Sequence, residues 1–181
     1  MTILEYTILI DNRILGNYMK DLIDKLSTYN IFNYLFPGVL FAIFLDNFTS
    51  YQLIQKDPII GVFLYYFLGS LISRIGSFVI EPLLRWFNFL KFSTYGDYIA
   101  ASKLDPKIEL LSEVNNMYRT LCALIFVVCL VLIYERLALK CSLMSDLLPW
   151  AVILIIFLIY IFSYRKQTIY ISDRVNKAIE K

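Results

Sequence analysis

Four long apolar stretches constrain the fold of this chain more than any other feature of its sequence. They cover residues 30–48, 59–80, 119–134 and 147–164. A helix needs about 20 mainly apolar residues to cross a bilayer, within a range of about 17–25. Hydrophobic residues make up 59% of the chain and charged residues 18%, whereas soluble domains average about 45–50% and about 25%. The sequence therefore predicts an all-α membrane protein with four transmembrane helices, and it argues against a soluble enzyme.

The positions of lysine and arginine predict the orientation of these spans, because basic residues are enriched in cytoplasmic loops. Of the 17 basic residues, three lie in the loops at 49–58 and 135–146, and Arg74 lies inside the second span. The remaining thirteen precede the first span, connect the second and third, or follow the fourth. The pattern predicts that both termini lie in the cytosol.

The regions outside the spans suggest a simple domain organisation. An amphipathic helix is expected at residues 11–27, where apolar side chains recur at i, i+4 and i+8 and the charges cancel. Such a helix would lie flat on the membrane by apolar burial or dock on protein. The expected domains are a cytosolic amphipathic segment at 1–29, a transmembrane domain at 30–164 with a cytosolic helical insert at 81–118, and a cytosolic basic tail at 165–181.

Two Xaa-Pro pairs within the insert predict where its helices begin. Glu81-Pro82 can open a helix, because proline is tolerated at the first helical position, and the apolar segment after it is expected at the membrane interface. Asp105-Pro106 combines an N-cap residue with a proline at the first helical position. From there the apolar spacing predicts one continuous helix to about residue 134, which would project from the cytosolic face of the membrane.

Arg74 is the one unambiguous charge inside a predicted span. An arginine within the bilayer costs about 2.5–3.5 kcal/mol on insertion scales, so it is a candidate functional residue. Its side chain could extend to the cytosolic headgroups, or it could face a cavity within the bundle, with Asn33 of the first span as its partner. No acidic residue lies at that depth and the chain has no histidine, so we expect no proton relay.

Small residues and a proline shape two of the spans. Gly69, Ser73 and Ser77 form a stripe at four-residue spacing on the second span, which lets helices approach closely. This stripe predicts a packing face, either within the subunit or between subunits. In the first span, Pro37 and Gly38 predict a kink, which would be static or would serve as a hinge.

The sequence contains no pattern typical of catalysis or cofactor binding. We find no phosphate-binding loop, nucleophile motif, metal-ligand motif or carboxylate pair, so we expect no catalytic residue, metal or cofactor. The net charge of +2 is too small to predict direct binding of nucleic acid. The polar face of the projecting helix is either simply solvated or a docking surface for a partner, and it carries Lys107, Glu109, Glu113 and Asn116.

Two segments resemble a known family of membrane proteins. They are NIFNYLFPG in the first span and YGDYIAASKLDPKIELLSEVNNMYRTL before the third. In size, span count, the Asn-Tyr-x-x-Pro-Gly element at 33–38 and the Asn-Asn-Met-Tyr-Arg run, the chain resembles the four-span membrane subunits of the Kiwa anti-phage defence system. The resemblance implies a homo-oligomeric protein of the bacterial inner membrane, with a tetramer favoured, that detects phage attack and works with a cytosolic effector.

Two functions are therefore expected from the sequence. In the first, the chain is a membrane sensor and scaffold, whose cytosolic helices recruit the effector while lipid surrounds its spans. In the second, it is an effector channel that depolarises the membrane, with Arg74, the Pro37 kink and the small-residue stripe lining or gating the pore. The spans from 119–134 and 147–164 show no polar stripe, which favours the scaffold.

Overall fold

The computed structural model of the protein describes residues 28–138 and 142–179, and their side chains at 29–138 and 147–176. Every regular element in these ranges is helical. Four of the helices are long and apolar enough to cross a membrane, which confirms the predicted all-α fold. The amphipathic helix expected at 11–27 lies outside the described residues.

The helices follow one another with short connections. The first is preceded directly by a helical turn at Thr28–Asn30. The candidate spans are the first, second, fourth and fifth helices, and the third is a short helix between spans. In chain order they are α1 (Ile31–Phe48), α2 (Pro58–Trp86), α3 (Tyr95–Leu104), α4 (Lys107–Ala138) and α5 (Ser142–Ile179).

The long helix expected from the Asp105-Pro106 pair is present as α4. The Asp105 side chain accepts a hydrogen bond of 2.9 Å from the backbone N–H of Lys107, as expected of an N-cap residue. The 32 residues of α4 make it about 48 Å long at about 1.5 Å per residue. The prediction of one continuous helix is confirmed, and the helix ends four residues later than expected.

Two of the spans, α1 and α2, widen just before an internal proline. A π-helical turn occupies Ile31–Leu35, two residues before Pro37, and a second occupies Gly76–Ile80, two residues before Pro82. Proline lacks the N–H that would bond the carbonyl four residues earlier, and its ring collides with that carbonyl. In each turn, the N–H that follows bonds the carbonyl five residues earlier, which widens the helix and lets it continue.

The second of these turns joins the first residues of the expected cytosolic insert to the helix of the second span. The prediction that a new helix begins at Glu81-Pro82 is wrong, because α2 continues through the π turn to Trp86. Residues 81–86 therefore belong to the second span's helix. The segment predicted as a basic tail from residue 165 also continues a span, since α5 remains helical to Ile179.

The centre of the bundle is α2, which packs against α1, α4 and α5. The buried apolar core lies where α1, α2 and α4 meet, and α5 is attached to one side of this core. Among the described side chains of α5, only Ser163 is buried. The core consists of Phe41, Leu45, Ile72, Ile80, Ala123, Leu124 and Val128.

Candidate functional site

The small-residue stripe of α2 contacts three different helices. Gly69 lies against α1, and the side chain of Ser73 lies 3.2 Å from the Thr120 hydroxyl on α4. Ser77 accepts a hydrogen bond from Lys166 on α5. All three stripe residues are buried by helices of the same chain, so the stripe is a packing face within the subunit. The alternative that it forms an interface between subunits does not fit this burial.

At one end of the stripe, α1 and α2 cross with their backbones in direct contact. A Cβ atom added to Gly38 would lie 1.7 Å from the carbonyl oxygen of Tyr65, and one added to Gly69 would lie 1.7 Å from that of Tyr34. No side chain larger than hydrogen fits at either position unless the helices separate. Gly38, expected to take part in a kink with Pro37, is thus one half of a glycine crossing, and the neighbouring π turn accommodates the proline.

Asn33 is buried within this first π turn, with 2% of its surface exposed. Its side-chain nitrogen donates a 3.1 Å hydrogen bond to the carbonyl of Tyr29, while its side-chain oxygen has no partner among the described residues. Burial, with a contribution from Tyr34, raises the pKa of the Tyr29 hydroxyl. The expected pairing of Asn33 with Arg74 is wrong, because that oxygen accepts no hydrogen bond from the guanidinium.

Arg74 instead lines a partly open cavity between three helices. The cavity has a volume of about 190 Å³ and lies between the C-terminal half of α2 and the N-terminal half of α4. The sequence left two placements open for the Arg74 side chain, and the structure has the one that faces a cavity. We call this space the basic cavity; its lining residues are Arg74 and Ser77 of α2, Asn116 and Arg119 of α4, and Lys166, Gln167 and Tyr170 of α5.

One carboxylate holds two of the arginines at this end of the bundle. Glu81 forms an ion pair with Arg119, at 2.9 Å, and another with Arg85, at 3.0 Å. The Glu81 and Arg119 side chains are 14% and 20% exposed, whereas Arg85 is 52% exposed. The Glu81–Arg119 pair is thus the shielded one, and it ties the end of α2 to α4. The Arg119 Nε atom is buried and has no acceptor in the described part of the chain.

Lys166 brings the third cation to the basic cavity from α5. Its ammonium group donates a hydrogen bond to the Ser77 hydroxyl and lies 5.7 Å from the centres of the Phe78 and Tyr170 rings. Ring faces attract cations at distances of up to about 6 Å. It also interacts electrostatically with Arg74 and with Glu81. Lys166 is therefore oriented by contacts on two helices.

The sequence reasoning did not single out Glu81, Arg119 or Lys166 as site residues. For Glu81 and Arg119, a usable signal was present in their spacing from other polar residues. Residues 74, 77 and 81 share one face of α2, since they are three and four residues apart, and residues 116 and 119 share one face of α4. A prediction of one continuous helix through residue 81 would have placed Glu81 on the same face as Arg74 and Ser77.

The four candidate docking residues of α4 separate into two groups. Lys107, Glu109 and Glu113 are exposed on the first turns of the helix, whereas Asn116 is half-buried and lines the basic cavity. Only the first three therefore present their side chains at a free helix surface in the described structure. Their role in docking stays a prediction.

The fold and its charged cavity define a multi-pass helical membrane protein, with four candidate spans and a cluster of cations at one end of the bundle. No protein-family model, curated protein or solved structure matches the chain.

Proposed function

We propose that this chain is a homo-oligomeric sensor and scaffold of the bacterial inner membrane, which recruits a cytosolic effector in an anti-phage defence system. The observation that carries the proposal is the length of α4. At about 48 Å it exceeds the roughly 30 Å hydrocarbon core of a bilayer by several turns. Its first turns carry exposed charges that no described helix covers, as a docking surface requires.

The distribution of charge supports a cytosolic position for this surface. The basic cavity lies in the half of the bundle that contains the start of α4, and this is the half that the positive-inside rule assigns to the cytosolic side. The test uses two variants with a single cysteine each, one that keeps only Cys141 and one that carries only the cysteine introduced by Lys107→Cys. A membrane-impermeant maleimide added to whole spheroplasts should label the first variant and not the second. The reverse pattern would overturn the orientation.

The exposed surface of α5 is available to lipid or to further copies of the chain. Large apolar side chains are exposed along its membrane segment, including Trp150, Ile153 and Phe157. Lipid or a second copy would cover such a surface, and the resemblance to Kiwa membrane subunits favours a tetramer. Light scattering of the protein in nanodiscs measures the number of chains in each particle. A single chain per nanodisc at every protein ratio would contradict the oligomeric part of the proposal.

The docking role can be tested with charge-reversal variants and a matched control. Glu109→Lys combined with Glu113→Lys should abolish protection against phage in cells that also express the genes next to this one. Membrane levels and oligomer size should be unchanged, because both side chains are exposed. Asp173→Lys changes an exposed acid on α5 and should leave protection intact. Full protection by the double variant would contradict the docking surface.

The alternative function, an ion-conducting effector channel, would use residues that already pack within the subunit. The stripe expected to line a pore is buried against other helices, and Arg74 faces a cavity bounded by α2, α4 and α5. Purified protein in liposomes distinguishes the two functions. The scaffold proposal expects no ion leak from the chain alone, and a leak abolished by Arg74→Leu would favour the channel.

A further inference from the structure

The basic cavity gathers cations from three helices around one space. Arg74 comes from α2, Arg119 from α4 and Lys166 from α5. A volume of about 190 Å³ is far above the roughly 10–15 Å³ that one water molecule needs, so the cavity accommodates a polyatomic group. The neutral lining residues add hydroxyl and amide donors, and these are Ser77, Asn116, Gln167 and Tyr170.

The charges around this space are not balanced by the described carboxylates. Glu81 is the one acid in ion-pair contact with the cluster in the part of the chain that the structure describes, and it is shared between Arg119 and Arg85. Cations held close together at the end of membrane-spanning helices repel one another, and partial burial makes that repulsion more costly than in water. A bound anion would remove this cost.

The geometry of the donors indicates the kind of anion. Arg119 keeps a buried Nε–H with no acceptor in the described structure, and buried donors are rarely left unpaired. Guanidinium groups present planar sets of donors that match carboxylate or phosphate oxygens, and lysine adds a point charge. Three such cations converging from different directions match the several oxygens of a tetrahedral phosphate better than the two of a planar carboxylate.

We propose that the basic cavity binds the phosphate group of an anionic ligand, a chemistry that an anionic phospholipid headgroup shares with free phosphate. Basic pockets between transmembrane helices on the cytoplasmic side of a membrane are typical sites for such headgroups. Arg119 and Lys166 lie at the ends of the apolar stretches 119–134 and 147–164, where the headgroup region is expected. The site does not depend on the proposed role in defence, because the whole protein can be tested for it without phage or effector.

The experiment measures thermal stability and bound lipid in the full-length protein. One arm compares nanodiscs of phosphatidylcholine alone with nanodiscs that also contain phosphatidylglycerol. The other arm keeps phosphatidylcholine and adds sodium phosphate against sodium chloride of equal ionic strength. Native mass spectrometry counts the phosphatidylglycerol molecules retained after extraction into detergent.

The variants separate the cavity from general surface charge. Arg74→Gln and Lys166→Gln each remove one cavity cation, and each should weaken binding about tenfold or more, since a hydrogen bond to a charged group contributes about 1.5–3 kcal/mol. Arg165→Gln removes an exposed cation next to Lys166 along α5 and should bind as the wild type does. Arg119 is left unchanged because it holds the ion pair with Glu81.

The outcomes identify the source of the phosphate or reject the site. Stabilisation by phosphatidylglycerol that is lost in Arg74→Gln and Lys166→Gln supports the site with a lipid as its ligand. Stabilisation by sodium phosphate alone, lost in the same variants, supports it with the free anion. Stabilisation by neither, or an equal loss in Arg165→Gln, would overturn the proposal.

Discussion

The glycine crossing of α1 and α2 makes a sharp prediction about two glycines on the same helix. We expect Gly69→Ala to destabilise the protein and Gly61→Ala to leave it unchanged or more stable. Both substitutions gain up to about 1 kcal/mol of intrinsic helix propensity. They differ in what the new methyl group meets, which is the backbone of α1 at Gly69 and the ring of Tyr65 at Gly61.

The structure gives the size of the difference. The new Cβ at Gly69 would lie 1.7 Å from the Tyr34 carbonyl oxygen, so α1 must move away by about 1.3 Å to reach the shortest contact that real Cβ atoms make. A gap of that size forfeits about half or more of the dispersion energy of each contact across the crossing. Overpacking of this kind typically costs about 1–3 kcal/mol. At Gly61 the nearest atom is 3.2 Å away and belongs to the Tyr65 side chain, which needs to shift only slightly to make room for the methyl group.

Thermal unfolding in a mild detergent measures both variants against the wild type. At about 2–4 °C per kcal/mol for a chain of this size, Gly69→Ala should unfold about 2–12 °C lower. Gly38→Ala should behave in the same way, because its Cβ meets the Tyr65 carbonyl at the same distance. If Gly69→Ala were as stable as Gly61→Ala, the direct backbone contact between α1 and α2 would be refuted.

Two further substitutions test the contacts that hold α2 to the other helices. In the same unfolding assay, Glu81→Gln removes the shielded carboxylate and should lower the free energy of unfolding by about 1–3 kcal/mol. Arg85→Gln removes its exposed partner and should lower it by less than about 1 kcal/mol. Equal losses of stability would show that the shielded pair contributes no more than the exposed one. Ser73→Leu inserts a large side chain against buried Thr120 and should lower the yield of folded protein, as judged by size-exclusion chromatography, while Ile156→Leu on α5 should have little effect. Equal yields would contradict the tight packing of the stripe.

Much of the fold could be predicted because its signals are local. The lengths of the apolar stretches predicted four spans, and the Asp105-Pro106 pair predicted the start of α4 from capping chemistry alone. The spacing of small residues predicted a packing face on α2. Arg74 attracted attention because a charge within a span is costly wherever it points.

The composition of the basic cavity could not be predicted in the same way. Depth along two helices suggested that Arg74 and Asn33 lie together, but depth does not determine how each helix is rotated about its axis. Lys166 looked like part of a basic tail because the apolar stretch ends at residue 164. In the structure, α5 continues beyond that stretch to Ile179. Glu81 looked like the start of a new helix, because proline in a helix interior usually ends it, and the π turn that lets α2 continue depends on packing that the sequence does not show.

The attachment of α5 connects the packing of the bundle with the proposed anion site. Among the described side chains of α5, only Ser163 is buried. Two aromatic pairs join α5 to α2, Phe67–Tyr160 and Phe78–Phe162, and in each pair the ring centres are more than 6 Å apart. Lys166 adds a directional contact through its hydrogen bond to α2. An anion in the basic cavity would join Lys166 to cations on α2 and α4, and so would attach α5 at the end of the bundle where α4 begins. Because the exposed turns of α4 start at that same end, binding of a phosphate group there would set the position of α5 beside the proposed docking surface.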